Sequence, residues 1–169
     1  MSDTIQEKLE SAFREIRVEV PEKDRLTITV GKEAVMSVLS YLKSNGYDHL
    51  ALISCVDWIE DKEFEIVYVL SAYLHRDEKY TEIERMNIIV QTRIPRDRPE
   101  FISVIPVFGN AEPYEREIHE LFGVKFAGHP RLTPLFLERE YEIPPFRKDF
   151  DTRQYVKDVF DKIPPVKHE

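Results

Sequence analysis

Phe64, Ile66, Tyr68, Leu70, Ala72 and Leu74 put an apolar side chain at every second position. A strand turns successive side chains to opposite faces, so this pattern buries one face and demands a second layer to cover it. Two segments can supply that layer. Thr4 followed by Glu7 reads as a capping box opening a helix whose Ile5, Leu9, Ala12, Phe13 and Ile16 share one stripe. From Lys32 a second helix carries Ala34, Val35, Val38, Leu39 and Leu42 on one face, and Asn45-Gly46 ends it, glycine being free to take the left-handed cap. Leu26 to Val30 alternates strictly and stops at Gly31, His49 to Trp58 is rich in strand formers, and a further strand runs from about Tyr80 to Ile94. In that last strand Ile83 is out of phase with Met86, Ile88 and Val90, which predicts a bulge near Glu84 or Arg85. The connections at 57–62 and 75–79 are short and polar, so these strands should be antiparallel neighbours. Phe101 to Ile105 reads as a short helix broken at Pro106. Asn110 to Phe122 reads as a longer one, with Pro113 in its first turn and Gly123 at its end. The prediction is an α+β domain over residues 1–124, an antiparallel sheet of about four strands with helices mainly on one face.

After Gly123 the character changes. Residues 123–169 hold six of the eleven prolines, and helical periodicity vanishes until Thr152 to Phe160, where a short helix is possible. Yet Leu132, Leu135, Phe136, Leu137, Tyr141, Phe146, Phe150, Tyr155 and Phe160 lie here, more large apolar groups than a solvated tail keeps. Residues 125–169 are therefore expected to form an extended, proline-rich C-terminal arm that docks on a partner. Packing back onto its own domain is the alternative.

Several classes fall away on composition. The 24 basic against 32 acidic residues give a net charge of −8, which argues against nucleic acid or anionic lipid as partners. A single cysteine, Cys55, cannot make a disulfide framework within the chain, nor alone hold an iron–sulfur cluster or a thiolate zinc site. The longest wholly apolar stretches, such as Leu50 to Ile53, are far short of the roughly 18 residues of a membrane span. The polar N-terminus is unlike a signal peptide, so a soluble, intracellular chain is expected. Three Asn, three Gln and 33 % charged residues fit a thermophile's composition.

The densest polar cluster runs from Glu112 to Glu120. On a helix Glu112, Arg116 and Glu120 lie on one face, as do Glu115 and His119, so Arg116 can bridge carboxylates on both sides. Three readings stand: a fixed charge array for a partner, an acid–base site using Glu115, Glu117 and His119, or a solvated face laced with weak ion pairs. His119-Glu120 begins like a zinc-protease helix, but Gly123 stands where the second histidine belongs. Glu115, His119 and His129 could in principle share one ion. No phosphate-cradling glycine motif occurs, Ser54 and Cys55 fall in an apolar strand, and Asp57 and Trp58 read as a turn former and a rim aromatic.

Glu115-Arg116-Glu117-Ile118-His119-Glu120-Leu121-Phe122-Gly123-Val124, followed by Gly128-His129-Pro130, resembles the signature of the 30-kDa, or C-type, subunit of respiratory complex I. Pro145-Phe146-Arg147-Lys148-Asp149-Phe150 resembles a second motif of that family, in the right order. Thr133 stands where the family commonly carries a base. Short versions of this subunit also occur in archaeal membrane-bound nickel–iron hydrogenases and related complexes. The resemblance implies a non-catalytic structural subunit of a hydrophilic arm, on the cytoplasmic side of the membrane, without a span of its own. Its partners would be the large, hydrogenase-like subunit and the iron–sulfur small subunit. Iron–sulfur clusters, and NiFe where present, would belong to those partners, this chain binding no cofactor. The interface residues implied are Glu115, Arg116, Glu117, Glu120, His129, Phe146, Arg147, Lys148, Asp149 and Phe150.

Overall fold

The alternation of Phe64 to Leu70 lies at the centre of the molecule. In the computed structural model, which describes residues 4–22, 24–72, 86–137 and 141–159, Phe64, Ile66, Tyr68 and Leu70 are all 0 % exposed. Ala72 packs at the edge of the same core, and Leu74 lies outside the described residues. The elements are α1 (Ile5–Ala12), β1 (Ile16–Glu22), β2 (Arg25–Val30), α2 (Val35–Ser44), β3 (His49–Trp58), β4 (Glu63–Ser71), β5 (Asn87–Pro95), β6 (Glu100–Ile102), α3 (Glu112–Phe122), β7 (Lys125–Ala127) and α4 (Thr152–Val159).

The first five strands form one sheet in the order β1-β2-β5-β4-β3, with β2 and β5 parallel and every other pair antiparallel. The parallel pair follows from topology. The α2 crossover sends β3 in the direction of β2, two reversals bring β5 back to that direction, and β5 then inserts beside β2. The buried residues of α1 and α2, and Ile118 of α3, share one apolar cluster with the inward side chains of the sheet. The fold is thus the expected α+β type, with five strands instead of about four.

The additional strand is β1. Ile16, assigned by spacing to the first helical stripe, begins it, because the helix stops at Ala12 and Phe13 is already extended at φ −130°, ψ 120°. Ile16 and Val18 then pair with Val30 and Ile28, and β-branched alternation prevails over the helical phase. The capping box is present, the Thr4 N–H donating to Glu7 Oε2 at 2.8 Å and the Glu7 N–H to Thr4 Oγ1 at 3.3 Å. The bulge expected near Glu84 or Arg85 falls outside the described residues. A bulge does occur in β3, between Leu50 and Leu52, and it moves the buried register from even to odd positions: Leu50, then Ile53, Cys55 and Asp57.

Phe101 to Ile105 corrects the expectation of a short helix. Its first residues form β6, parallel to β7, with Phe101 opposite Phe126 and both inside the core. An apolar run this short carries no period that separates helix from strand. Residues 125–127, assigned to the start of the arm, are therefore hydrogen-bonded into the body. Gly123 ends α3 at φ +79°, and its amide donates to the His119 carbonyl at 2.8 Å.

Candidate functional site

α3 has a strongly two-sided sequence, and its register decides what each polar residue can do. Ile118 and Leu121 face the core, and Glu115 faces it with them, at 0 % exposure. The Glu115 Oε1 accepts the Val104 amide at 2.7 Å, while Oε2 has no protein partner. Burial pushes its carboxyl above the ordinary value, against the opposing pull of Ser103, the Val104 amide and His129. Buried thus, Glu115 presents no surface to a partner and ties α3 to the residues after β6. Glu117 is half-buried and two positions on, about 200° around the helix, so it and Glu115 cannot converge on one substrate atom.

Arg116 and Glu120, on the other side of α3, hold the arm. Arg116 donates from Nε to the Thr133 carbonyl at 3.0 Å and from Nη2 to the Pro134 carbonyl at 2.8 Å. Its Nη1 lies 3.4 Å from Glu112 Oε1, so it bridges one carboxylate of its helix face and not two. The Glu120 carboxylate instead accepts the amides of Phe136 and Leu137, at 3.0 and 2.6 Å. Prolines and an extended path leave backbone groups of the arm without a ladder, and these two side chains provide their partners. His129 sits at the start of this run. Its Nδ1 accepts the Arg131 amide at 3.0 Å and its Nε2 donates to the Glu112 carbonyl at 3.2 Å. His119 donates from Nδ1 to the Val124 carbonyl at 2.8 Å. The three candidates for a shared ion are thus each turned to backbone partners. Among the described residues no group of three His, Cys, Asp or Glu side chains is placed to hold a metal.

The second motif closes across the end of the sheet. The Phe146 amide donates to the Leu121 carbonyl at 3.0 Å, and Arg147 Nε donates to the Phe122 carbonyl at 2.7 Å. Gly123 makes the second contact possible. A Cβ there would stand 3.0 Å from Arg147 Nη2 and 3.0 Å from Pro144 Cγ. The Lys148 amide donates to Asp57 Oδ2 at 2.9 Å, and Asp149 takes Arg96 Nη2 at 2.6 Å. Phe64 lies beneath two guanidinium groups, those of Arg147 at 5.1 Å and Arg96 at 5.6 Å from the ring centroid. Burial and the neighbouring Arg96 charge lower the Arg147 pKa, whereas Asp57 and Asp149 raise that of Arg96. Phe150 packs against Tyr141 and Tyr155, with centroids 5.9 and 5.5 Å away. Phe146 rests edge-on against Phe122 yet stays 60 % exposed, and Phe136 is 68 % exposed.

Asp57 and Arg96 carry this closure, and sequence spacing did not single them out. Read as a turn former, Asp57 is 4 % exposed, on the inward register of β3 after Ile53 and Cys55. An ionisable residue on the buried phase of a strand is the signal that marks it. Arg96 follows β5 and donates its amide to the Lys62 carbonyl at 2.9 Å. Cys55 is core: burial, then the Asp57 charge, push its thiol up to about 12.

Residues 28–156 match the family described as respiratory-chain NADH dehydrogenase, 30 Kd subunit. The chain belongs to this family. Across 146 residues, 85 % of each chain, it is 36 % identical to the F(420)H(2) dehydrogenase C-subunit of Methanosarcina mazei. It is 34 % identical over 144 residues to the mitochondrial NADH-ubiquinone oxidoreductase 30.4 kDa subunit of Neurospora crassa, a match spanning 83 % of this chain and 47 % of that longer protein. Among solved structures, a chain in that of the membrane-bound sulfane sulfur reductase, an archaeal respiratory membrane complex, superposes with a TM-score of 0.81 at 27 % identity. That superposition covers 98 % of this chain and 94 % of the other. In this complex I 30-kDa-type subunit, the Glu-Arg-Glu helix and the Pro-Phe-Arg-Lys-Asp-Phe motif meet through Arg147 and the end of α3. No helix among its described residues is long and apolar enough to cross a membrane.

Proposed function

We propose that this chain is a non-catalytic structural subunit in the hydrophilic arm of a complex-I-like membrane oxidoreductase, on the cytoplasmic side of the membrane. The complex is of the NADH:quinone oxidoreductase or the membrane-bound nickel–iron hydrogenase type. The chain holds the large, hydrogenase-like subunit and the iron–sulfur small subunit in register, and the redox centres lie in those partners. The observation that carries this reading is the arm itself. Arg116 and Glu120 fix its backbone against α3 and the Arg147 side chain binds the Phe122 carbonyl at the helix end, while the rings of Phe136 and Phe146 are 68 % and 60 % exposed. Exposed aromatics on a segment already ordered are what an interface uses, because little further entropy is lost when they are covered. The family assignment, with relatives that are subunits of respiratory complexes, supports a neighbouring subunit as what covers them.

A tagged copy of the chain, purified under mild detergent from its own organism, tests the proposal. The large and iron–sulfur small subunits should co-purify with it. Recovery of the chain alone, with redox turnover of its own, would contradict the reading.

A further inference from the structure

We propose that the outer face of the five-stranded sheet is a second docking surface, taking an apolar-faced helix of a neighbouring subunit that carries Lys or Arg at one end. The inference rests on the subunit reading above and adds a face on the side of the sheet away from α1–α3. Leu52, Val56 and Trp58 of β3 point outward at 40, 36 and 39 % exposure. Val67, Val69 and Ile89 continue the apolar surface, since Val69 stands opposite Leu52 on one side and Ile89 on the other. The strip therefore crosses three strands, two spacings of about 4.8 Å, close to the roughly 10 Å width of one helix. β3 is also a sheet edge. Solvent-facing edges ordinarily carry charge, yet the outward positions Leu52, Ser54, Val56 and Trp58 carry none.

One end of the strip says what the occupant must bring. Arg93 is shared by Asp61, Glu63 and Glu65 at 3.0, 3.1 and 3.3 Å, three carboxylates on one guanidinium. Glu65 also accepts the Trp58 indole N–H at 3.3 Å, and the Arg93 guanidinium lies 5.2 Å from the indole ring. The aromatic is thus held ready beside unmatched negative charge, which favours a basic partner group. A second copy of the chain, with its net charge of −8, offers a poor complement to this end. At its other side Trp58 lies 5.9 Å from Lys148 Nζ, so the strip adjoins the arm's closure.

Ser54, exposed in the middle of the strip, permits a direct test. In the tagged complex of Ser54→Cys, maleimide should react with the introduced thiol at least about tenfold more slowly than in the isolated chain. Cys55, buried and with its thiol pushed up to about 12, gives no background. A short thiol-to-amine cross-linker at the same position should capture a lysine at the end of an amphipathic helix of another subunit. In parallel, Asp61→Lys should lower retention of that subunit several-fold, while the isolated chain, losing one exposed ion pair, still melts in a single cooperative transition. Equal labelling in complex and isolated chain, cross-links to a second copy, or unchanged retention with Asp61→Lys would overturn the proposal. A chain that purifies without respiratory subunits overturns both readings. One that co-purifies with a freely reactive thiol overturns only this one.

Discussion

Arg96 grips Asp57 through two hydrogen bonds, Nε to Oδ1 at 2.8 Å and Nη2 to Oδ2 at 3.2 Å, and the same Nη2 holds Asp149 at 2.6 Å. One guanidinium therefore ties the end of β3 and the residue after β5 to a motif more than fifty residues further on. The Asp57 side chain is 2 % exposed and that of Arg96 15 %. In such surroundings a planar, bidentate pair is strong only while both partners remain.

Asp57→Ala should accordingly destabilise the isolated chain by roughly 3 kcal/mol, the cost of leaving one partner of a buried pair uncompensated. Asp57→Asn, which keeps an acceptor, should cost less. Thermal or urea unfolding measures both, and an unchanged midpoint for the alanine variant would contradict the assignment.

The closure should also open in acid. The hydrogen bond from Arg96 holds the Asp149 carboxyl below the ordinary value of 3.8. A depressed carboxylate contributes stability that is present above the unfolded value and lost as pH falls through the folded one. Trp58, the single tryptophan, lies near Lys148 and reports on this motif. Its fluorescence should hold steady from neutral pH to about 4 and change below that. Asp149→Asn should remove that component of the acid transition, and an identical transition in the variant would count against the closure.

Glu115 has the opposite sign. Its folded value is raised by burial, so the folded state binds the extra proton and stability falls as pH rises from about 4.5 through the folded value. Glu115→Gln keeps an oxygen for the Val104 amide and removes the buried charge, so it should flatten that decline. Glu115→Leu leaves the amide unpaired and should cost about 1–3 kcal/mol. Unfolding free energies between pH 4 and 8 separate the two, and a wild-type slope in the Gln variant would refute the account.

Gly123→Ala meets two obstacles at once, a φ of +79° and contacts of 3.0 Å to Arg147 and Pro144. The conformation alone costs about 1–2 kcal/mol for an alanine. The variant should also loosen the arm, raising the rate of limited proteolysis within residues 129–150 well beyond that of an equally destabilised core variant. Equal proteolysis of the two would show that the glycine serves only the helix cap.

Much of this architecture was legible because it rests on local periodicity. The buried phase of β4, the capping box before α1 and the glycine after α3 each have a sequence signal and a single physical cause. β1 was not legible, since Ile16 satisfies both the helical stripe of α1 and the alternation of Ile16, Val18 and Val20, and pairing with β2 decides between them. The short β6 exists only because β7, more than twenty residues later, lies beside it. For the site, the two motifs were visible as strings, but Asp57 and Arg96 were not. Their partners are long-range, and the bulge between Leu50 and Leu52 resets the register that turns Asp57 inward.

The central claim is that α3 and the arm it holds act in assembly and take no part in chemistry. Arg116, bound to the carbonyls of Thr133 and Pro134, tests it most directly. In a strain carrying Arg116→Ala, the measurement is the yield of assembled complex together with redox turnover per assembled complex. The account predicts a lower yield with turnover per complex unchanged. A fully assembled complex that has lost its redox activity would contradict it.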